Sequence, residues 1–172
     1  MTMIRKCEPA DWETILEVIE DGARAYRGVI PPDCLGDPYM SFDELRGEIR
    51  SGVEFWCHEE EGEIAGVMGI QHFPDVTLIR HAYVRQSQRR RGTGGKLLAF
   101  LRKQTALPIL LGTWADARWA VRFYEKNGFR PVGHEEKERL LRKYWSIPVR
   151  QIETSVVLAD EKWPQFREKL LL

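Results

Sequence analysis

Val84-Arg85-Gln86-Ser87-Gln88-Arg89-Arg90-Arg91-Gly92-Thr93-Gly94-Gly95-Lys96-Leu97-Leu98 runs from the end of an apolar segment, through arginines and glycines, into a second apolar segment. The order predicts a strand ending near Val84, a short basic loop, and a helix opening near Gly92 with Leu97, Leu98 and Leu101 on its apolar side. Glycines let backbone come close to a ligand. The first amides of a helix lack intrahelical acceptors and carry positive partial charge, so they attract an anion. Arginines add charge-assisted bonds to phosphate oxygens. Pyrophosphate binding is the chemistry this turn suggests. A Walker A loop is excluded, because Gly95-Lys96 is followed by Leu97 and the glycine expected upstream is Arg90. A dinucleotide fingerprint is incomplete, since Leu97 stands where its last glycine belongs. A solvated basic turn before an ordinary helix remains the alternative.

Working outward, Met3 to Lys6 reads as a short strand. A helix starts near Pro9 and Asp11, with Trp12, Ile15, Leu16 and Ile19 on one face. Gly28 to Tyr39 reads as a loop. Ser41 with Glu44 forms a capping-box pattern for a second helix through Leu45 and Ile49. Val53 to His58 and Glu63 to Ile70 form a predicted hairpin, and Gly66 and Gly69 suggest a bulge or close approach. Val76 to Val84 is the next strand. Beyond the glycine turn come a strand at Ile109 to Trp114 and a helix capped by Asp116 that stops at Asn127-Gly128. A short strand Phe129 to Val132, a helical or irregular stretch Glu135 to Trp145, a final strand Ile152 to Leu158 and a closing helix follow. The expectation is an α/β (α+β) single domain, residues 1–172, with one mixed, mostly antiparallel central sheet flanked by helices.

Composition fits such a domain. The 172 residues are 43% hydrophobic, and the 30% that are charged balance to a formal net +0. That balance argues against generic nucleic-acid binding, which needs a net basic face. Cys7, Cys34 and Cys57 make neither a disulfide framework nor a metal-binding pair, so no metal is expected. No apolar run approaches the ~20 residues of a membrane span, and no apolar stretch follows Arg5 and Lys6 as in a secretory signal. These features predict a cytoplasmic protein without nucleic-acid or membrane partners. The late strand could pair across a homodimer.

A second motif lies on the later helix: Ala117-x-x-Ala120-Val121-x-Phe123-Tyr124-Glu125-Lys126-Asn127-Gly128-Phe129. Ala117, Ala120, Val121 and Tyr124 share one helical face. With Arg89-x-x-Gly92-x-Gly94 after a strand, this resembles the GNAT N-acetyltransferases, whose signature loop is [QR]-x-x-G-x-[GA] and whose later helix ends in a YEKxGF-like motif. The resemblance covers about Ile4 to Val132. It implies the GNAT fold, with a splay between two central parallel strands, and acetyl-coenzyme A as cosubstrate. It places the pyrophosphate on Arg89, Arg90, Arg91, Gly92, Thr93 and Gly94, with Gly95 and Lys96 adjoining. It implies a pantetheine arm along Ala117 and Tyr124, and backbone donors near Tyr83 and Val84 for the thioester oxygen. The family often has Asn where Ala117 stands, so that bond must be replaced or lost.

The implied reaction is direct acyl transfer to a primary amine of a small molecule or peptide. Tyr124 suits the general acid, since a phenol of pKa ≈ 10 holds its proton until a thiolate develops. Some family members place a Glu base where this chain has Leu78. His81 is the candidate base here, and a water chain from Glu54 or His72 is the alternative. Tyr26, Tyr39, Tyr144 and Trp145 could line the acceptor pocket. Arg142, Lys143 and Arg150 could favour an acidic acceptor. A non-catalytic acyl-coenzyme A-binding or regulatory module on the same fold is the competing expectation.

Overall fold

The computed structural model describes residues 1–170. Seven strands make one sheet in the order β1-β2-β3-β4-β5-β7-β6. They are β1 (Thr2–Lys6), β2 (Val53–Glu60), β3 (Glu63–His72), β4 (Thr77–Val84), β5 (Ile109–Trp114), β6 (Arg130–Pro131) and β7 (Ser155–Ala159). Every neighbouring pair is antiparallel except β4 and β5, which run parallel. The helices are α1 (Trp12–Ala23), α2 (Phe42–Arg50), α3 (Thr93–Arg102), α4 (Arg118–Lys126), α5 (His134–Tyr144), α6 (Val149–Thr154) and α7 (Trp163–Leu170). None of the described helices is long and apolar enough to cross a membrane.

The apolar periodicities decide which face each helix covers. Ile15, Val18 and Ile19 of α1 and Leu45 of α2 pack on Val53, Phe55 and Val67 of the sheet. Leu140, Leu141 and Tyr144 of α5 continue that side over Leu78, Leu110 and Val157. Leu97, Leu98 and Leu101 of α3 fill the opposite face with Met68, Ile70, Ile79, Ile109 and Leu111. Full burial of each such leucine contributes roughly 1.5–3 kcal/mol. The Ser41 hydroxyl accepts from the Glu44 amide at 3.1 Å, and the Glu44 carboxylate accepts from the Ser41 amide at 3.2 Å, closing the expected capping box.

Two sequence expectations are corrected. Asp116 is not the cap of α4; that position is Ala117, with no side-chain bond, because Trp114 and Ala117 form a tight turn whose 3.0 Å backbone bond starts the helix. The final strand does not begin at Ile152. Val149–Thr154 is helical after Pro148, whose carbonyl accepts from Ile152 N–H at 3.1 Å, and the strand starts only at Ser155. On its outer edge β7 pairs with β6 only at Leu158 and Ala159.

Candidate active site

The site begins with a defect in β4. Its pairing with β3 slips between Val67 and Gly69, where His81 takes φ +53°. Gly69 lies opposite, and a Cβ there would come within 2.8 Å of the Arg80 carbonyl oxygen, so only glycine fits. A bulge shifts the in-out alternation of a strand. Arg80 and His81 consequently reach the same carboxylate, Glu48 of α2, each at 3.1 Å from Oε2. Beyond the bulge, Ala82 joins the α3 side and Tyr83 the α1 side.

The parallel partner leaves at the same point. β4 and β5 pair only from Thr77↔Ile109 to Ile79↔Leu111, after which β5 continues along β7. Backbone groups of β4 beyond Ile79 therefore have no strand on that edge. Arg85 N–H donates to Ala65 of β3 at 2.9 Å, so alternation turns the groups of Ala82 and Val84 into the opening. Tyr83 presents its ring there, while its own backbone faces β3.

Two cavities meet in this opening. One, of about 580 Å³, runs along the α3–α4 side and includes Gly92, Thr93, Gly94 and Phe123 in its wall. The other, of about 140 Å³, lies toward α5 and includes Tyr39, Arg80, His81, Trp145 and Gln151. Tyr26, Ala82, Tyr83 and Tyr124 border both.

On the larger cavity the basic turn is held by side chains elsewhere. Gln86 N–H donates to Asp21 of α1 at 2.7 Å, and Arg85 Nε donates to the Ile64 carbonyl at 2.8 Å. Arg90 and Gly92 take φ +66° and +80°, which turns the chain into α3. The first bond of that helix is Lys96 N–H to the Gly92 carbonyl, 2.9 Å, leaving the amides of Thr93, Gly94 and Gly95 without intrahelical acceptors. Arg89 and Arg90 border the cavity with these amides. Arg91 donates instead to Gln88, at 3.2 Å, and neither Arg91 nor Lys96 borders either cavity. Gly94 lets α4 come close, since a Cβ would sit 3.3 Å from the Phe123 ring. Ala117 is not brought to this cavity. It is fully buried against Ile30 and Trp114, so an Asn side chain in its place would enter the core.

Tyr124 stands where the cavities join. Its ring packs against Phe123 and Phe129 at 5.0 and 6.0 Å between centroids. Burial, helped by neighbouring Tyr26, pushes its phenol well above the ordinary range, so it stays protonated. Burial pushes Tyr26 up to about 12. Tyr83 donates its hydroxyl to Tyr39 at 2.9 Å.

His81 stacks on Phe55, with 5.9 Å between centroids and 25° between planes, and its Nε2 meets Glu48. Burial raises the Glu48 carboxyl, but His81 and Arg80 outweigh it and hold the group below its usual value. An anionic Glu48 favours the tautomer with the proton on Nε2, which leaves Nδ1 as the basic nitrogen.

The other candidates lie elsewhere. Glu54 is 3.0 Å from Lys6 and borders neither cavity, nor does His72. Leu78 is fully buried. Tyr144 donates to Asp75 at 2.6 Å and faces a groove between α5 and α7. Lys143 also pairs with Asp75, and Arg150 pairs with Asp33, each at 3.3 Å. Arg80, Glu48, Thr113, Gln151 and Ser155 are site residues that sequence reasoning missed. Its sole hint was the polar pair Arg80-His81 inside an apolar strand. Among the described residues no group of His, Cys, Asp or Glu forms a metal cage.

Residues 51–131 match the family model described as acetyltransferase (GNAT) domain, from β2 through β6. No curated protein matches the chain in sequence. A GNAT-family acetyltransferase from Staphylococcus aureus Mu50 superposes with TM-score 0.69 at 20% identity, over 93% of this chain and 98% of that one. The PaiA N-acetyltransferase of Thermoplasma acidophilum, in complex with coenzyme A, gives 0.69 at 18% identity over the same shares. The ribosomal-protein-S18-alanine N-acetyltransferase of Escherichia coli gives 0.66 at 16%, over 93% of each chain. The chain thus has the GNAT fold, and its central segment matches the model of that family's acetyltransferase domain.

Proposed function

We propose that this chain transfers an acetyl group from acetyl-coenzyme A to a primary amine. The observation that carries the reading is the meeting of two cavities at Tyr124, beside the unpaired backbone groups of Ala82 and Val84. The larger cavity suits the cosubstrate. Free helix-start amides and two arginines can hold a pyrophosphate, and the apolar wall through Ala120 and Phe123 can receive a thin arm. Acetyl-coenzyme A supplies the activated acyl group as a thioester.

The chain's residues then have three tasks. The amides of Ala82 and Val84 donate to the acyl oxygen as negative charge gathers there. His81, its Nε2 proton directed at Glu48, accepts the proton of the attacking amine on Nδ1. Tyr124 gives its proton to the departing sulfur, and the site returns to its starting state once His81 and Tyr124 exchange protons with water. The direct test is incubation with acetyl-coenzyme A and a set of primary amines, following free thiol and product mass together. One N-acetyl product per thiol released is the expected result. Tight coenzyme A binding without thiol release from any amine would refute catalysis and leave a binding module on the same fold.

A further inference from the structure

The smaller cavity is bordered by a part-buried cation whose donors are only half used. Arg80 Nη1 meets Glu48 at 3.1 Å and Gln71 at 3.2 Å. Its Nε and Nη2 make no hydrogen bond with any described residue, although the side chain is only 14% exposed and borders the cavity. Those two groups form one edge of the guanidinium, the planar fork that matches the two oxygens of a carboxylate. Screened only in part by solvent, that edge can take a carboxylate in two charge-assisted bonds.

The rest of the wall agrees. Among the described residues no Asp or Glu borders the cavity, so the second ammonium of a polyamine would find no counter-ion there. The nearby carboxylate, Glu48, is already taken by Arg80 and His81. Tyr39, Tyr83, Leu141, Trp145 and Ile147 offer an aromatic and aliphatic surface for a carbon skeleton. The volume of about 140 Å³ suits a small molecule.

We infer that the acceptor is a small primary amine that also carries a carboxylate, an amino acid or close analogue, with its carboxylate on the Nε–Nη2 edge of Arg80. This rests on the acyl-transfer reading of the same site. Arg80 is then a specificity-determining residue: it binds the end of the acceptor that does not react.

Matched sets test this: free α-, β- and γ-amino carboxylates, their amides, and the corresponding decarboxylated amines, each assayed by thiol release. The acids are expected to exceed their amides in kcat/KM by about ten- to a hundredfold, the size of a charge-assisted hydrogen-bond pair. Arg80→Gln should lower kcat/KM for the best acid by about tenfold more than for its amide, so that the acid–amide difference disappears, and leave coenzyme A affinity intact by thermal shift. Arg80→Lys keeps the charge without the fork and should fall between, which guards against a Gln variant that folds poorly. Equal kcat/KM for acids, amides and decarboxylated amines would overturn this inference alone. No turnover of any amine by a protein that binds coenzyme A would overturn the acyl-transfer reading and this inference with it.

Discussion

The two sides of the opening between β4 and β5 are built by different means. On the α3–α4 side, the turn from Gln88 to Gly95 offers backbone amides and arginines from one continuous stretch. On the α5 side, Arg80, His81, Tyr39, Trp145 and Gln151 come from distant segments, and Glu48 of α2 holds two of them from behind. A phosphate can be bound by whatever residues put amides at a helix start, so that half depends on local chain geometry. Recognition of one acceptor depends on side-chain groups, and their placement depends on packing. Cofactor contacts should therefore respond to backbone changes, and acceptor contacts to single polar atoms.

Five substitutions would break or sharpen that contrast. Tyr124→Phe touches the junction and should have the largest effect, lowering kcat roughly 100- to 10,000-fold. Coenzyme A affinity should stay near wild type, and an unchanged kcat in a steady-state thiol assay would remove Tyr124 from the mechanism. Gly92→Val comes next, because a β-branched residue at φ +80° is strained. It should weaken coenzyme A binding about tenfold or more by calorimetry, with melting temperature as the check on folding.

Glu48→Gln probes the support behind the acceptor side. The Glu48 carboxyl is held below its ordinary value in the folded chain, so its charge adds stability that is fully present above the unfolded value of 4.5. That stability is lost as pH falls through the lower folded value. The variant should lose about 1 kcal/mol at neutral pH and follow a flatter stability profile than wild type below pH 4.5, as read by denaturant titration. A profile parallel to wild type would show that Glu48 is not tied to Arg80 and His81. Arg91→Ala should do least, with coenzyme A affinity falling less than about threefold, because a solvated charge off the cavity wall is largely screened. Arg90→Ala should exceed it, and equal effects would mean that net charge on the turn counts for more than position.

Much of the fold was legible because its signals are local. The 3.6-residue stripe Ile15–Ile19, the Ser41–Glu44 box and the Asn127-Gly128 stop all appear as read. The α6 segment misled because Ile152, Val156 and Leu158 look like one apolar strand. Ile152 is in fact a helical residue buried against α5 and β7. Ala117 misled because a family contact was expected where this chain has core packing.

The arginine-glycine turn and Tyr124 were determined by the sequence itself, since amides at a helix start and a phenol on an apolar helix face follow from neighbours along the chain. Which groups line the smaller cavity was decided only in three dimensions. The bulge at His81 and the departure of β5 after Leu111 turn Arg80 and His81 to one carboxylate and expose the backbone of Ala82 and Val84. Strand alternation alone would put Arg80 and His81 on opposite faces. Only the pairing of β3, β4 and β5, set by contacts far apart in the chain, brings them together.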